Sequence, residues 1–197
     1  METGIGWLVD WPDWYAGLTF ARGIGPEELA ARLGAVPGPA PGPLDPTGAW
    51  SLAASTVDGD GVARVGAFGG WSFAVEHGLP AGADRLAEVA RGGVEAVHLD
   101  PQPDHPPKQF AYARDGEVVC CFALGEEAWR GGHRPDHLLP ALVAAHVLHP
   151  DGTDARPATE PPAVRERRTL TVIEHHFALS LPRHLVAEAP LPAFVTA

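Results

Sequence analysis

The stretch GGWSFAVEHG, residues 69–78, decides how the chain folds. It alternates with a period of two, placing Trp71, Phe73 and Val75 on one face of a strand and Ser72, Ala74 and Glu76 on the other. One face is heavy and core-like, the other is thin, and the thin face carries a carboxylate. Residues 62–68 are a second strand, and Gly69-Gly70 is the two-residue connection of a β-hairpin. In that register Phe68 faces Trp71, Gly66 faces Phe73, Arg64 faces Val75 and Ala63 faces Glu76, where the small alanine leaves the carboxylate room. Arg64 is thereby placed at the rim of the aromatic face, either stacked on the rings as a cation–π partner or open to an anion.

Outward from the hairpin, residues 84–91 predict a short helix stopped by Gly92-Gly93, and 94–99 a strand leading into a proline-broken loop over 100–107. Residues 108–114 and 117–123 flank Asp115-Gly116, a strong hairpin signal. Its simple register pairs Tyr112 with Val119, Phe110 with Cys121, Ala111 with Cys120, and Arg114 with Glu117 as a cross-strand ion pair. Towards the N-terminus, residues 50–57 read as a strand joined to 62–68 by the turn Asp58-Gly-Asp-Gly61. That string is no calcium loop, because Gly69 stands where the bidentate glutamate is required. Residues 37–46 are a proline-rich surface connection, suited to neither helix nor ladder. Residues 7–34 read as two helices, the second opened by Pro26, Glu27 and Glu28, with Leu29 and Leu33 on one face and Gly34 as its stop. The last third reads as helices over 136–148 and 164–179, a loop over 150–162 between them, and a short helix within 181–190. The expected class is α+β: a largely antiparallel sheet of about six strands flanked by N-terminal and C-terminal helices, in one domain over residues 1–197.

A chain of 197 residues, 45% hydrophobic and 20% charged, suffices for one well-buried core. The net charge of −11, with Lys108 as the single lysine, argues against a nucleic-acid backbone as partner. No basic leader opens the sequence, and no run approaches the roughly 18 apolar residues of a membrane span. The expected location is the cytoplasm. The two cysteines, Cys120 and Cys121, are adjacent, so on a strand they diverge and read as reduced thiols.

The ten histidines raise the question of a metal. Pro135 interrupts the His133/His137 spacing, His146 and His149 have no carboxylate at a ligating offset, and His175 and His176 diverge, so neither a metal nor another cofactor is expected. Nucleophile elbows and phosphate-cradling glycine loops are missing from the sequence. The remaining candidates for chemistry are Glu76, His98 on the next strand, and Asp104 and His105 in the loop after it, a carboxylate–imidazole set suited to general acid–base work. For Glu76 the competing role is structural, as an acceptor for a buried backbone or indole N–H at the sheet edge.

Three blocks, LTFARGIGPEELAARLGA (residues 18–35), VARVGAFGGWSFAVEHG (62–78) and FAYARDGEVVCCFA (110–123), together with GGHRPDHLLPAL (131–142) and HHFALSLPRHLVAEAPL (175–191), resemble an uncharacterised actinobacterial domain family, numbered 6461 among the domains of unknown function. The resemblance covers most of the chain and implies that the Gly-x-Trp-x-φ-x-φ-Glu strand, with Gly69, Trp71, Phe73, Val75 and Glu76 on or beside it, is a family feature. It implies no activity.

Two functions from different classes fit these features. The first is a small acidic cytoplasmic protein that regulates or neutralises a protein partner of basic character, like an immunity protein; acidity and the lack of a catalytic signature favour it. The second is an enzyme or small-molecule binder of specialised metabolism, with Glu76, His98 and His105 as its acid–base groups and Arg64, Trp71, Phe73 and Tyr112 around an aromatic pocket. The balance leans away from an enzyme. Neither nucleic acid nor membrane is an expected partner.

Overall fold

The computed structural model describes residues 4–12, 14–38, 41–56, 60–103 and 105–197. Its strands are β1 (Gly17–Arg22), β2 (Pro43–Leu44), β3 (Gly61–Phe68), β4 (Trp71–His77), β5 (Glu95–Asp100), β6 (Gln109–Arg114), β7 (Glu117–Ala123) and β8 (Leu191–Thr196). They form one sheet of eight strands in the order β2-β8-β3-β4-β1-β5-β6-β7, antiparallel at every pairing. The α-helices are α1 (Pro26–Arg32), α2 (Pro46–Ser55), α3 (Gly82–Val89), α4 (Leu139–Ala144), α5 (Pro162–Phe177) and α6 (Arg183–Ala187). The class is α+β, with eight strands where the sequence suggested about six.

The alternation of large and small residues has a physical reason: both faces of the sheet are covered. One face carries Leu18, Phe20, Trp71, Phe73, Val75, Val97, Leu99 and Phe110, packed with Leu170, Ile173 and Phe177 of α5. The other presents Ala21, Ala63, Ala74, Ala96 and Ala113, and against this thin face lie Leu29 of α1, Leu33 at its C-terminal end, and Leu86 and Val89 from α3. Small strand residues let the helices approach closely, so their leucines fill the volume that the strands leave. Ser72 and Glu76 share this thin face, so Glu76 is covered by protein and not by solvent.

Both hairpins close on two residues in the left-handed region, Gly69 (φ 59°) with Gly70 (φ 82°) and Asp115 (φ 54°) with Gly116 (φ 84°), the conformation that matches strand twist. The β3–β4 register is the one the two-residue turn dictates, including Arg64 with Val75 and Ala63 with Glu76. The β6–β7 register departs from the simple expectation. Arg114 faces Glu117, but a bulge at Tyr112/Ala113 then shifts the pairs to Tyr112 with Cys120, Ala111 with Cys121 and Phe110 with Phe122. Val119 is the extra residue, and its carbonyl accepts from the Arg134 amide at 2.8 Å as the connection after β7 crosses it. Arg114 pairs with Glu95 at 3.5 Å and Asp115 at 3.6 Å, not with Glu117.

Other expectations are corrected. Residues 50–55 belong to helix α2, nucleated by Asp45, whose carboxylate accepts the Gly48 amide, and by Pro46 in the first turn. The turn residues Asp58 and Gly59 lie outside the described residues. The first of the two helices read over 7–34 is a short 3-10 turn, Gly6–Asp10, followed by the central strand β1; only α1 is helical as expected. The proline-rich segment does form a ladder, since Pro43 and Leu44 pair with Pro192 and Leu191. The helix read over 136–148 begins as the 3-10 turn Pro135–Leu138 and continues as α4. After α6 the chain enters β8, a strand the sequence did not announce.

Both lateral edges of the sheet are occupied. The outer side of β8 is covered by β2 at one end and at the other by Ala35 and Val36, whose amide donates to the Val195 carbonyl at 2.9 Å. Outside β7, Cys121 and Gly131 exchange two backbone hydrogen bonds, at 3.0 and 2.7 Å.

Candidate functional site

Three polar side chains converge on the thin face where β4, β1 and β5 run side by side. Thr19 stands opposite His98 in the β1–β5 pairing, and Glu76 stands opposite Gly17, two residues away along β1. All three are buried: Thr19 is 0%, Glu76 3% and His98 2% exposed. The Thr19 hydroxyl donates to Glu76 Oε1 at 2.5 Å and lies 2.8 Å from His98 Nδ1; Glu76 Oε2 accepts the Gly82 amide at 2.8 Å. A hydroxyl has one proton, and Thr19 gives it to Glu76, so His98 Nδ1 must be the donor to Thr19 Oγ1. That fixes the tautomer and leaves Nε2 as an acceptor, buried and without a hydrogen-bond partner among the described residues. Burial holds the His98 pKa below the ordinary histidine value, against the opposing pull of Glu76, Asp100 and Asp84.

Two glycines make this cluster sterically attainable. A Cβ at Gly82, the first residue of α3, would lie 2.3 Å from Thr19 Oγ1, 2.4 Å from His98 Nδ1 and 2.5 Å from Glu76 Oε1. The helix therefore begins directly on the cluster, and its N-terminal amide meets the carboxylate. At Gly17 a Cβ would lie 3.0 Å from Pro80 Cβ and 3.4 Å from His98 Cε1, so a side chain at this position would crowd both.

Pro80 also lines an open groove of about 640 Å³, together with Tyr15, Trp50, Leu79, Asp100 and His105 among others. His105 is thus on the groove wall and not in the Thr19–Glu76–His98 cluster; Asp104 lies outside the described residues. The Asp100 carboxylate is fixed by its own loop, accepting the Gln102 amide at 3.0 Å and Gln102 Nε2 at 2.6 Å. The sequence reading paired Glu76 with His98, and the structure brings them together, Oε1 to Nδ1 at 3.8 Å, with Thr19 between. Thr19 was missed because residues 7–34 were read as helical. The signal was there in Leu18-Thr-Phe-Ala21, which alternates like residues 71–76.

The family of unknown function DUF6461 matches residues 7–192. The chain belongs to this family. No curated protein and no solved structure matches it.

In this DUF6461 chain the aromatic residues offered as a binding set have other surroundings. Trp71 and Phe73 are each 1% exposed and belong to the core on the heavy face. The Trp71 indole donates to the Phe177 carbonyl at 3.3 Å, and its ring is covered by the Arg22 guanidinium at 4.3 Å. Tyr112 is buried between Phe177 and His137, its hydroxyl donating to Glu95 at 3.1 Å. Arg64 is fully buried and neither stacks on the hairpin's aromatic rings nor meets solvent. Its Nε donates to His77 Nε2 at 3.0 Å, Nη1 to the Ala189 carbonyl at 3.0 Å and Nη2 to the Val186 carbonyl at 2.5 Å. It thereby caps the C-terminal end of α6, where carbonyls concentrate negative charge. Burial lowers the Arg64 pKa to about 10 and, reinforced by Arg64, that of His77 to about 3. The guanidinium stays charged and His77 stays neutral. Among the described residues no three His, Cys, Asp or Glu side chains converge to hold a metal ion. No helix among them is long and apolar enough to cross a membrane.

Proposed function

We propose that the protein is a small acidic binding protein of the cytoplasm, regulating or neutralising a protein partner in the manner of an immunity protein. One observation carries the reading. Among the described residues the exposed large hydrophobic side chains are Tyr15, Val36, Trp50, Leu79, Trp129 and Val164, and three of them, Tyr15, Trp50 and Leu79, line the groove described above. Aromatic and aliphatic side chains held at the surface around one concavity are what a partner's anchor residues use. The net charge of −11 makes a basic partner the complementary one and speeds its encounter.

The test is affinity purification from the native host with mass spectrometry, comparing the unaltered chain with a Trp50→Ala/Leu79→Asp double variant. A basic protein enriched by the first and lost with the second is the expected result. Identical capture profiles would remove the groove from the reading.

A second reading, an enzyme or small-molecule binder of specialised metabolism, is favoured by the unpartnered Nε2 of His98, an acceptor on an imidazole whose other nitrogen lies 3.8 Å from the Glu76 carboxylate. A small molecule retained through purification and seen by native mass spectrometry, and displaced in Glu76→Gln, would bring it forward.

A further inference from the structure

Resting on the groove reading above, we propose that the groove seats a guanidinium, the side chain of an arginine on the partner, against Trp50 and Tyr15 with Asp100 as its counter-charge. The Trp50 ring meets the His77 ring at 5.2 Å between centroids and 83° between planes. Whichever ring supplies the edge, His77 covers at most one indole face. Trp50 is 40% and Tyr15 53% exposed, so aromatic faces remain reachable from the groove. Trp71 is the internal comparison: there the chain itself lays an arginine on an indole, Arg22 at 4.3 Å.

Asp100 supplies the charge. Both oxygens accept from Gln102, a neutral donor that orients the carboxylate without cancelling it, and among the described residues no lysine or arginine forms an ion pair with Asp100. Across the Leu79–Pro80 ridge a second hollow of about 470 Å³ contains Asp60 and Asp84. Arg85, in the same hollow, donates to the Ala197 carbonyl at 2.7 Å. A cation approaching the ridge therefore meets carboxylates on both sides. Arginine fits better than lysine because a planar fork can stack on a ring and hydrogen-bond a carboxylate at once.

The experiment titrates the full chain with acetyl-Gly-Arg-Gly-amide and with its citrulline counterpart, which keeps the shape and removes the charge, following the tryptophan indole resonances by NMR. Expected are a saturable shift of the Trp50 indole, binding of the citrulline peptide weaker by about ten-fold, and a similar loss in Asp100→Asn and Trp50→Ala. Trp50→Phe, which keeps a ring, should retain most of the affinity and serves if Trp50→Ala does not fold. Equal binding of the two peptides, an unchanged affinity in Asp100→Asn, or no binding of the arginine peptide at millimolar concentration would overturn the assignment. Partner capture that depends on Trp50 and Leu79 while the two peptides bind alike would leave the groove as the partner's face and reject the guanidinium. Arginine-peptide binding with groove-independent capture would do the reverse.

Discussion

Replacing Glu76 by Gln and by Ala separates a network that can be rewired from one that can only be broken. In the native cluster protons run from His98 Nδ1 to Thr19 and from Thr19 to Glu76 Oε1, while Oε2 takes the Gly82 amide at 2.8 Å. In Glu76→Gln the amide oxygen can keep Gly82 and the amide nitrogen must donate to Thr19 Oγ1. The Thr19 hydroxyl then turns to donate to His98 Nδ1, and the imidazole proton moves to Nε2. The second amide N–H and the imidazole Nε2–H are the donors left without an acceptor, while the Gly82 hydrogen bond and the side-chain packing are kept, so the cost should be about 1–3 kcal/mol, below that of the truncation. In Glu76→Ala the Gly82 amide, at the start of α3 and buried, has no acceptor. An unpaired buried donor costs about 1–3 kcal/mol, and lost side-chain contacts add to it, for a total of about 2–4 kcal/mol. At this chain length that lowers the melting temperature by about 4–16 °C. Thermal melts of both variants give the magnitudes, and ¹⁵N NMR of the His98 ring reads the tautomer. A Gln variant as unstable as the Ala variant, or one in which Nδ1 keeps its proton, would refute the proton assignment.

Trp71→Ala should cost about 3–5 kcal/mol, since the indole is 1% exposed and packed on the heavy face; chemical denaturation measures it, and an unchanged midpoint would contradict the core placement. Gly82→Ala should be far worse than an ordinary glycine-to-alanine change at a helix start, because its Cβ falls within 2.5 Å of three polar atoms of the cluster; a melting temperature within a degree or so of the unaltered chain would mean that α3 can shift freely. His77 and His98 both have folded-state pKa values below the ordinary histidine value, so the unfolded chain binds protons first on acidification. Their contribution is present above about pH 6.5 and is lost as pH falls, for His77 towards its folded value of about 3. At pH 5 His77 alone should account for roughly 2 kcal/mol, and denaturation midpoints that do not fall between pH 7 and pH 5 would contradict its burial as a neutral base.

The hairpins were legible because their signals are local. Gly69-Gly70 and Asp115-Gly116 fix turn type, and alternation fixes which side chains share a face. The bulge at Val119 was not legible, since it is set by a backbone segment, residues 131–134, that returns from beyond the strand. Strand β1 was hidden because Leu18-Thr-Phe-Ala21 lies just before the helix start at Pro26 and is short enough to join a helical pattern. Strand β8 carries Pro192, which argues against a strand until the pairing shows it beside the short β2. Glu76 and His98 stand on strands that follow one another in sequence but are separated in the sheet by β1, so the reach between them and the place of Thr19 both required knowing that β1 is inserted there. Arg64 eluded the reading because its partners are carbonyls after residue 185, distant in sequence and visible only in three dimensions.

The covered sheet edges have a consequence for how anything can attach to this molecule. Extended peptides commonly bind by adding themselves to a free strand, and misfolded copies stack by the same route. Here β8 already has Pro43–Leu44 along one end of its outer side and residues 35–36 along the other, while Gly131 bonds Cys121 outside β7. Recognition by β-augmentation and edge-to-edge polymerisation would both first have to peel away a segment of the chain. Contacts with other molecules are therefore directed to side chains at strand ends and in connecting loops, where sequence can change without altering the ladder.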